Sequence, residues 1–123
     1  MAKILIVDDT RLARVVTVAC LRKAGHEALE VEPTSLFDVI KALKAELPDL
    51  LVMDVLMPLC PGLHLVRACR ADPALASLRI LALTALRDAE TNAQLQDLGV
   101  AGPLYKPFEP IELTGQVEAL LAG

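Results

Sequence analysis

The sequence predicts an α/β domain, a parallel sheet with helices on both faces. Five short apolar runs alternate along the chain with five segments of helical pattern, the order that right-handed βαβ units produce. The run Leu50–Met53 is continuously apolar, as in strands buried on both faces. Hydrophobic residues make up 54% of the 123 and aromatics only 2%, so the core must be Leu, Val, Ile and Ala. This length suits one domain, residues 1–123.

The first strand is Lys3–Val7. Asp8-Asp9-Thr10 opens the first helix, where Leu12, Val15, Val16 and Ala19 share a face, Arg22 and Lys23 occupy the last turn and Gly25 ends it. Ala28–Glu32 is a weak second strand. Pro33-Thr34-Ser35 starts the second helix, with Ser35 and Asp38 spaced as a capping box; Leu36, Ile40, Leu43 and Leu47 form its stripe and Pro48 stops it. Leu50–Met53 is the third strand, Pro58–Gly62 a loop and Leu63–Ala71 the third helix. Arg79–Leu83, ending in Thr84, is the fourth strand. Asp88–Leu98 is a weakly amphipathic fourth helix closed by Gly99. Leu104-Tyr105 is a short fifth strand. Pro110, in a first helical turn, starts the fifth helix, whose Leu113, Val117 and Leu120 face inward.

Several function classes are excluded early. The net charge is −4 and no basic run exceeds Arg22-Lys23, which argues against direct nucleic-acid binding. No apolar run approaches the roughly 20 residues that span a bilayer. "MAKILIVDD" is no signal peptide, so no membrane partner is expected. Cys20, Cys60 and Cys69 form no C-x-x-C pair and read as reduced thiols of a cytoplasmic protein. Cys60 and His64 are only two ligands, too few for structural zinc.

Ligands of open α/β sheets bind outside the carboxyl ends of the strands. There the sequence places Asp8 and Asp9, Asp54, Thr84 and Lys106, each directly after an apolar run. Singly, most have plainer readings: Asp8-Asp9 as a helix cap, Thr84 as a turn residue, Lys106 as a solvated lysine. Asp54 has none, since burying a lone carboxylate is costly. Three gathered carboxylates would raise one another's pKa, and a hard dication such as Mg²⁺ relieves that. With Lys106 as compact cation, Thr84 as hydroxyl donor and a carboxylate as nucleophile toward phosphorus, the set fits phosphoryl transfer.

The segments "ILIVDD" (4–9), "DLLVMDVLMP" (49–58) with Gly62, "LALTA" (81–85) and "YKPF" (105–108) resemble the response-regulator receiver domain of two-component signalling, over essentially the whole chain. The resemblance implies a flavodoxin-like sheet of order 2-1-3-4-5. It implies that Asp54 is phosphorylated by a sensor histidine kinase or phosphotransfer protein. It implies an Mg²⁺ site made by Asp9, Asp54, the backbone of Leu56 and, through water, Asp8. Thr84, Ala85 and Lys106 would receive the phosphoryl group, and the Lys106–Pro107 bond would be cis. Thr84 would act as the switch, read by an aromatic three positions before the lysine. Here that position is Pro103, so Tyr105, on the same face of a regular strand, is the candidate substitute.

Other departures shape the expectation. "PLCPG" (58–62) is stiffer and less polar than the family's usual loop. Leu56 and Leu86 flank the path of an attacking water and are apolar, which predicts slow spontaneous dephosphorylation. The fifth helix region carries Glu109, Glu112 and Glu118 and no Lys or Arg, so the charge set used by dimerising transcription regulators is missing. The chain ends at Gly123 right after that helix, which reads as a stand-alone receiver with output by protein contact through the fourth helix, fifth strand and fifth helix; a piece of a longer regulator stays open. The alternative is a pseudo-receiver, an interaction module that keeps the fold without using phosphate. A haloacid-dehalogenase-type phosphatase would need an acid where Leu56 stands, and a flavodoxin would want a Ser/Thr/Gly-rich loop where "DDT" stands.

Overall fold

A computed structural model describes residues 1–123. Its elements are β1 (Lys3–Val7), α1 (Arg11–Lys23), β2 (Glu27–Val31), α2 (Leu36–Glu46), β3 (Leu50–Asp54), α3 (Gly62–Ala71), β4 (Arg79–Thr84), α4 (Ala89–Asp97), β5 (Ala101–Tyr105) and α5 (Pro110–Ala122). The five strands form one sheet in the order β2-β1-β3-β4-β5, and every pairing is parallel. This is the flavodoxin-like arrangement.

Alternate residues of each strand feed two apolar layers, as the period of two requires. Ile4, Ile6, Leu50, Val52, Leu81 and Leu83 pack on one face with Val18 and Leu21 of α1 and Leu113 and Val117 of α5. Leu5, Val7, Leu51, Met53, Ile80 and Ala82 pack on the other with residues of α2, α3 and α4. All five residues of β3 are buried, because β3 is the central strand and both its faces are covered.

Three readings of the sequence need correction. The expected stripe of α1 faces outward: Leu12, Val15 and Val16 are 72%, 43% and 59% exposed, while Arg14, Thr17, Val18 and Leu21 are buried. Both faces of this helix carry apolar residues, so periodicity alone could not choose; the inward face packs Val18 and Leu21 on the sheet and carries the hydrogen bonds of the buried Arg14. In α2, Val39 and Leu43 are the buried pair and Leu36 and Ile40 only partly so, while Leu47 is exposed in the left-handed C-cap (φ 45°). Strand β5 runs from Ala101, longer than the two residues expected, because Gly102 and Pro103 occupy an irregular stretch that hides its β pattern.

That irregularity inserts one residue in β5: Leu81 pairs with Ala101, but Leu83 pairs with Leu104. Gly102 has φ 89°, and a Cβ there would lie 2.9 Å from Leu104 N, so glycine is required. Proline is tolerable at 103 because β5 is an edge strand. The Gly102–Pro103 and Lys106–Pro107 bonds are both cis. The half-capping at Ser35 is real: its Oγ accepts the Asp38 N–H at 3.0 Å, while Asp38 accepts from the Thr34 hydroxyl.

Candidate functional site

Strand register brings the polar strand ends together. Val7 pairs with Met53, so Asp8 follows β1 at the level where β3 ends in Asp54. Asp54 pairs with Leu83, and Thr84 pairs with Tyr105, the residue before Lys106. Oxygens of Asp8, Asp9 and Asp54 lie within 4.8 Å of one another. The Lys106 ammonium donates to Asp8 Oδ2 at 2.7 Å and to Asp54 Oδ2 at 3.1 Å. Asp8 and Asp54 are buried and Asp9 is exposed.

Asp8 and Asp54 are fixed differently. Asp8 Oδ1 accepts the Thr10 N–H at 3.0 Å, and its backbone carbonyl accepts from the Arg14 guanidinium at 2.6 Å. Arg14 in turn donates to Glu30 of β2 at 3.1 Å. The N-cap of α1 is Thr10, not either aspartate, and its side chain makes no cap bond. Asp54 Oδ1 accepts the Leu56 N–H at 3.2 Å. Just beyond, Gly62 N donates to the Val55 carbonyl at 3.0 Å. A Cβ on Gly62 would stand 2.9 Å from Val55 Cα, so only glycine lets α3 start this close to the end of β3.

Burial pushes the Asp54 carboxyl above its ordinary pKa; Lys106 and the Leu56 N–H pull it down, and Asp8 adds to the rise. Desolvation, not mutual repulsion of the acids, is thus the larger cause. Burial also works against the Lys106 ammonium, but its hydrogen bond to Asp8 and the charges of Asp54 and Asp8 outweigh that, and its pKa is raised. The donor set is all oxygen, anionic and clustered, which suits a hard dication such as Mg²⁺.

Thr84 is 1% exposed, and its hydroxyl accepts the Leu86 N–H at 3.1 Å. Its carbonyl accepts the Lys106 N–H at 2.8 Å, which ties the ends of β4 and β5 together. Ala85 is exposed and lines a shallow concavity with Thr10, Leu12, Val16, Lys106 and Phe108. Leu56 and Leu86 are 46% and 49% exposed. Tyr105 is half-buried; its hydroxyl accepts from Asn92 of α4 at 2.9 Å, and the Arg87 guanidinium sits 4.0 Å above its ring. Arg14, Arg87 and Asn92 escaped the sequence reading because nothing in their local pattern distinguishes them from surface polar residues. Cys60 and Cys69 are buried free thiols, with Cys69 pushed up to about 11 by burial; His64 is exposed. Another concavity, between Leu47–Asp49 and Ala74–Arg79, includes none of the strand-end groups.

A family model described as the response regulator receiver domain matches residues 4–118. The chain is 32% identical to the protein PilH of Pseudomonas aeruginosa, over 100% of both chains. It is 32% identical to the phosphate regulon transcriptional regulatory protein PhoB of the same organism, over 96% of this chain and 51% of that one. It therefore spans about half the length of several relatives it matches. Among solved structures, chemotaxis protein CheY4 of Vibrio cholerae superposes with a TM-score of 0.88 at 28% identity, covering 98% of each chain. A putative response regulator from Chloroflexus aurantiacus does so with a TM-score of 0.88 at 34% identity, covering 99% and 98%.

Proposed function

The chain belongs to the response regulator receiver domain family, and we propose that it is a phosphoacceptor whose Asp54 takes a phosphoryl group from a phosphohistidine. One observation carries this reading: Lys106 reaches Asp8 and Asp54 at once, so the buried Asp54 shares one cation with Asp8 inside a cluster of three acids at the strand ends. Asp8, Asp9, Asp54 and the backbone of Leu56 would hold Mg²⁺, which when bound would offset negative charge on the acids and the phosphoryl oxygens. The Asp54 carboxylate attacks phosphorus, the P–N bond to the donor imidazole breaks, and the imidazole leaves with a proton. Lys106 holds a phosphoryl oxygen, the Thr84 hydroxyl turns from Leu86 N–H to another, and the Ala85 backbone lies beside them.

The donor is a histidine kinase or a phosphotransfer protein. Its docking place is the outward apolar face of α1: Leu12 and Val16 border the concavity that ends at Lys106. Output runs through α4, β5 and α5, whose helices carry acids and no Lys or Arg. Tyr105 is joined to α4 by Asn92 and to the β4–α4 loop by Arg87, so a shift of the Thr84–Leu86 turn reaches it where Pro103 has no rotamer to change. Structures with and without a phosphoryl mimic test this, and an unmoved Tyr105 and α4 would count against it.

Intact mass after incubation with Mg²⁺ and acetyl phosphate, beside Asp54→Asn, decides the main reading. One phosphoryl group is expected on the wild type alone. No addition would favour the second reading, a pseudo-receiver working by contact only, which Pro103 in the irregular stretch of β5 favours.

A further inference from the structure

We infer that Arg14 is a positioning residue for the acidic pocket, setting the angle between Asp8 and Asp9 through the peptide that joins them. The inference rests on the proposed Mg²⁺ and phosphoryl role of those acids and adds to it a residue that bonds their backbone rather than either carboxylate. The peptide between Asp8 and Asp9 is a planar unit, and the carbonyl it carries is the one Arg14 holds at 2.6 Å. Rotating that plane swings the exposed Asp9 carboxylate relative to Asp8, whose own carboxylate is pinned by Thr10 N–H and Lys106.

Arg14 is itself placed from a distant strand. Its side chain is 7% exposed, and its Nε donates to Glu30 Oε1 at 3.1 Å. Glu30 lies on β2 and pairs with Ile6, two residues before Asp8. Arginine suits this task because its rigid fork directs two N–H groups at fixed angles, one to a carboxylate and one to a carbonyl. A charge-assisted bond to a carbonyl in a buried setting is also stronger than a neutral one. The orientation of α1 that buries Arg14 with Val18 and Leu21 is the one that turns Leu12 and Val16 outward.

The test is Mg²⁺ affinity, read by backbone-amide NMR titration with magnesium chloride and no phosphodonor, on Arg14→Met, Arg14→Lys and Glu30→Gln. Thermal unfolding without Mg²⁺ is measured beside it. Arg14→Met is expected to bind Mg²⁺ on the order of tenfold more weakly, as for loss of a group that orients a metal ligand. Arg14→Lys, which keeps the charge and loses the fork, is expected to recover part of that affinity, and Glu30→Gln to lose less. Variants that melt earlier but bind Mg²⁺ within twofold of the wild type would overturn the inference, because a merely structural arginine would give that result. If Arg14→Met does not fold, Arg14→Lys and Glu30→Gln decide by the same criterion. A wild type that binds no Mg²⁺ would instead overturn the underlying reading of the pocket, and this inference with it.

Discussion

Replacing Lys106 by Met removes the one cation that faces two buried carboxylates. At 2.7 and 3.1 Å, the contacts are worth about 6 and 5 kcal/mol in gross Coulomb energy at an effective dielectric of about 20, most of it offset by desolvation. Losing the cation strands both acids, and breaking a buried pair costs about 3–5 kcal/mol. The Lys106 side chain keeps 25% of its surface exposed, which favours the low end, about 3 kcal/mol. For a domain of this size that lowers Tm by about 10 °C. Far-UV circular dichroism is the assay, since the chain has one Tyr and no Trp. The pH dependence supplies the stricter check. A carboxyl whose folded pKa is raised favours the fold while protonated, and destabilises it as pH rises from the ordinary value of 3.8 through the folded one. Lys106 lowers the Asp54 pKa, so without it that penalty grows; Lys106→Met should lose more stability at neutral pH than near pH 4. Asp54→Asn in the same background should restore part of the loss at neutral pH. Equal losses at both pH values, or no restoration by Asp54→Asn, would refute the account of the pocket as an acid cluster held by one ammonium.

Gly62→Ala forces a methyl group to within 2.9 Å of Val55 Cα, and is expected to cost about 1–3 kcal/mol in urea unfolding and to slow labelling of the neighbouring Asp54 by acetyl phosphate. Leu86→Gln is expected to shorten the lifetime of phosphorylated Asp54 at least severalfold, followed by intact mass over time, because an amide there orients water and the leucine does not. Leu12→Ser with Val16→Ser, which removes the apolar face without adding charge, should leave acetyl phosphate labelling unchanged. The same pair should slow transfer from a phosphorylated histidine protein about tenfold or more, since burying each apolar side chain contributes about 1.5–3 kcal/mol.

The strand and helix alternation, the polar strand ends and the oddity of Asp54 were all legible in the sequence, because each is a local property: period, run length, or one charge inside "LLVMDVLMP". That Lys106 touches Asp8 and Asp54 was not, for those residues are 98 and 52 positions apart and meet only through parallel register. The outward face of α1 was misread for a related reason. A helix with apolar residues on two faces has no preferred side until its surroundings select one, and here the inward side is the one whose Val18 and Leu21 fit the sheet and whose Arg14 reaches Asp8, just after β1, and Glu30 of β2. The irregular stretch at Gly102 and Pro103 likewise exists only as a mismatch between two paired strands. Sequence by itself determined which segments form and which carry charge at their ends. Tertiary structure decided which faces turn inward and which charges meet, because those outcomes depend on residues far apart in the chain competing for the same space.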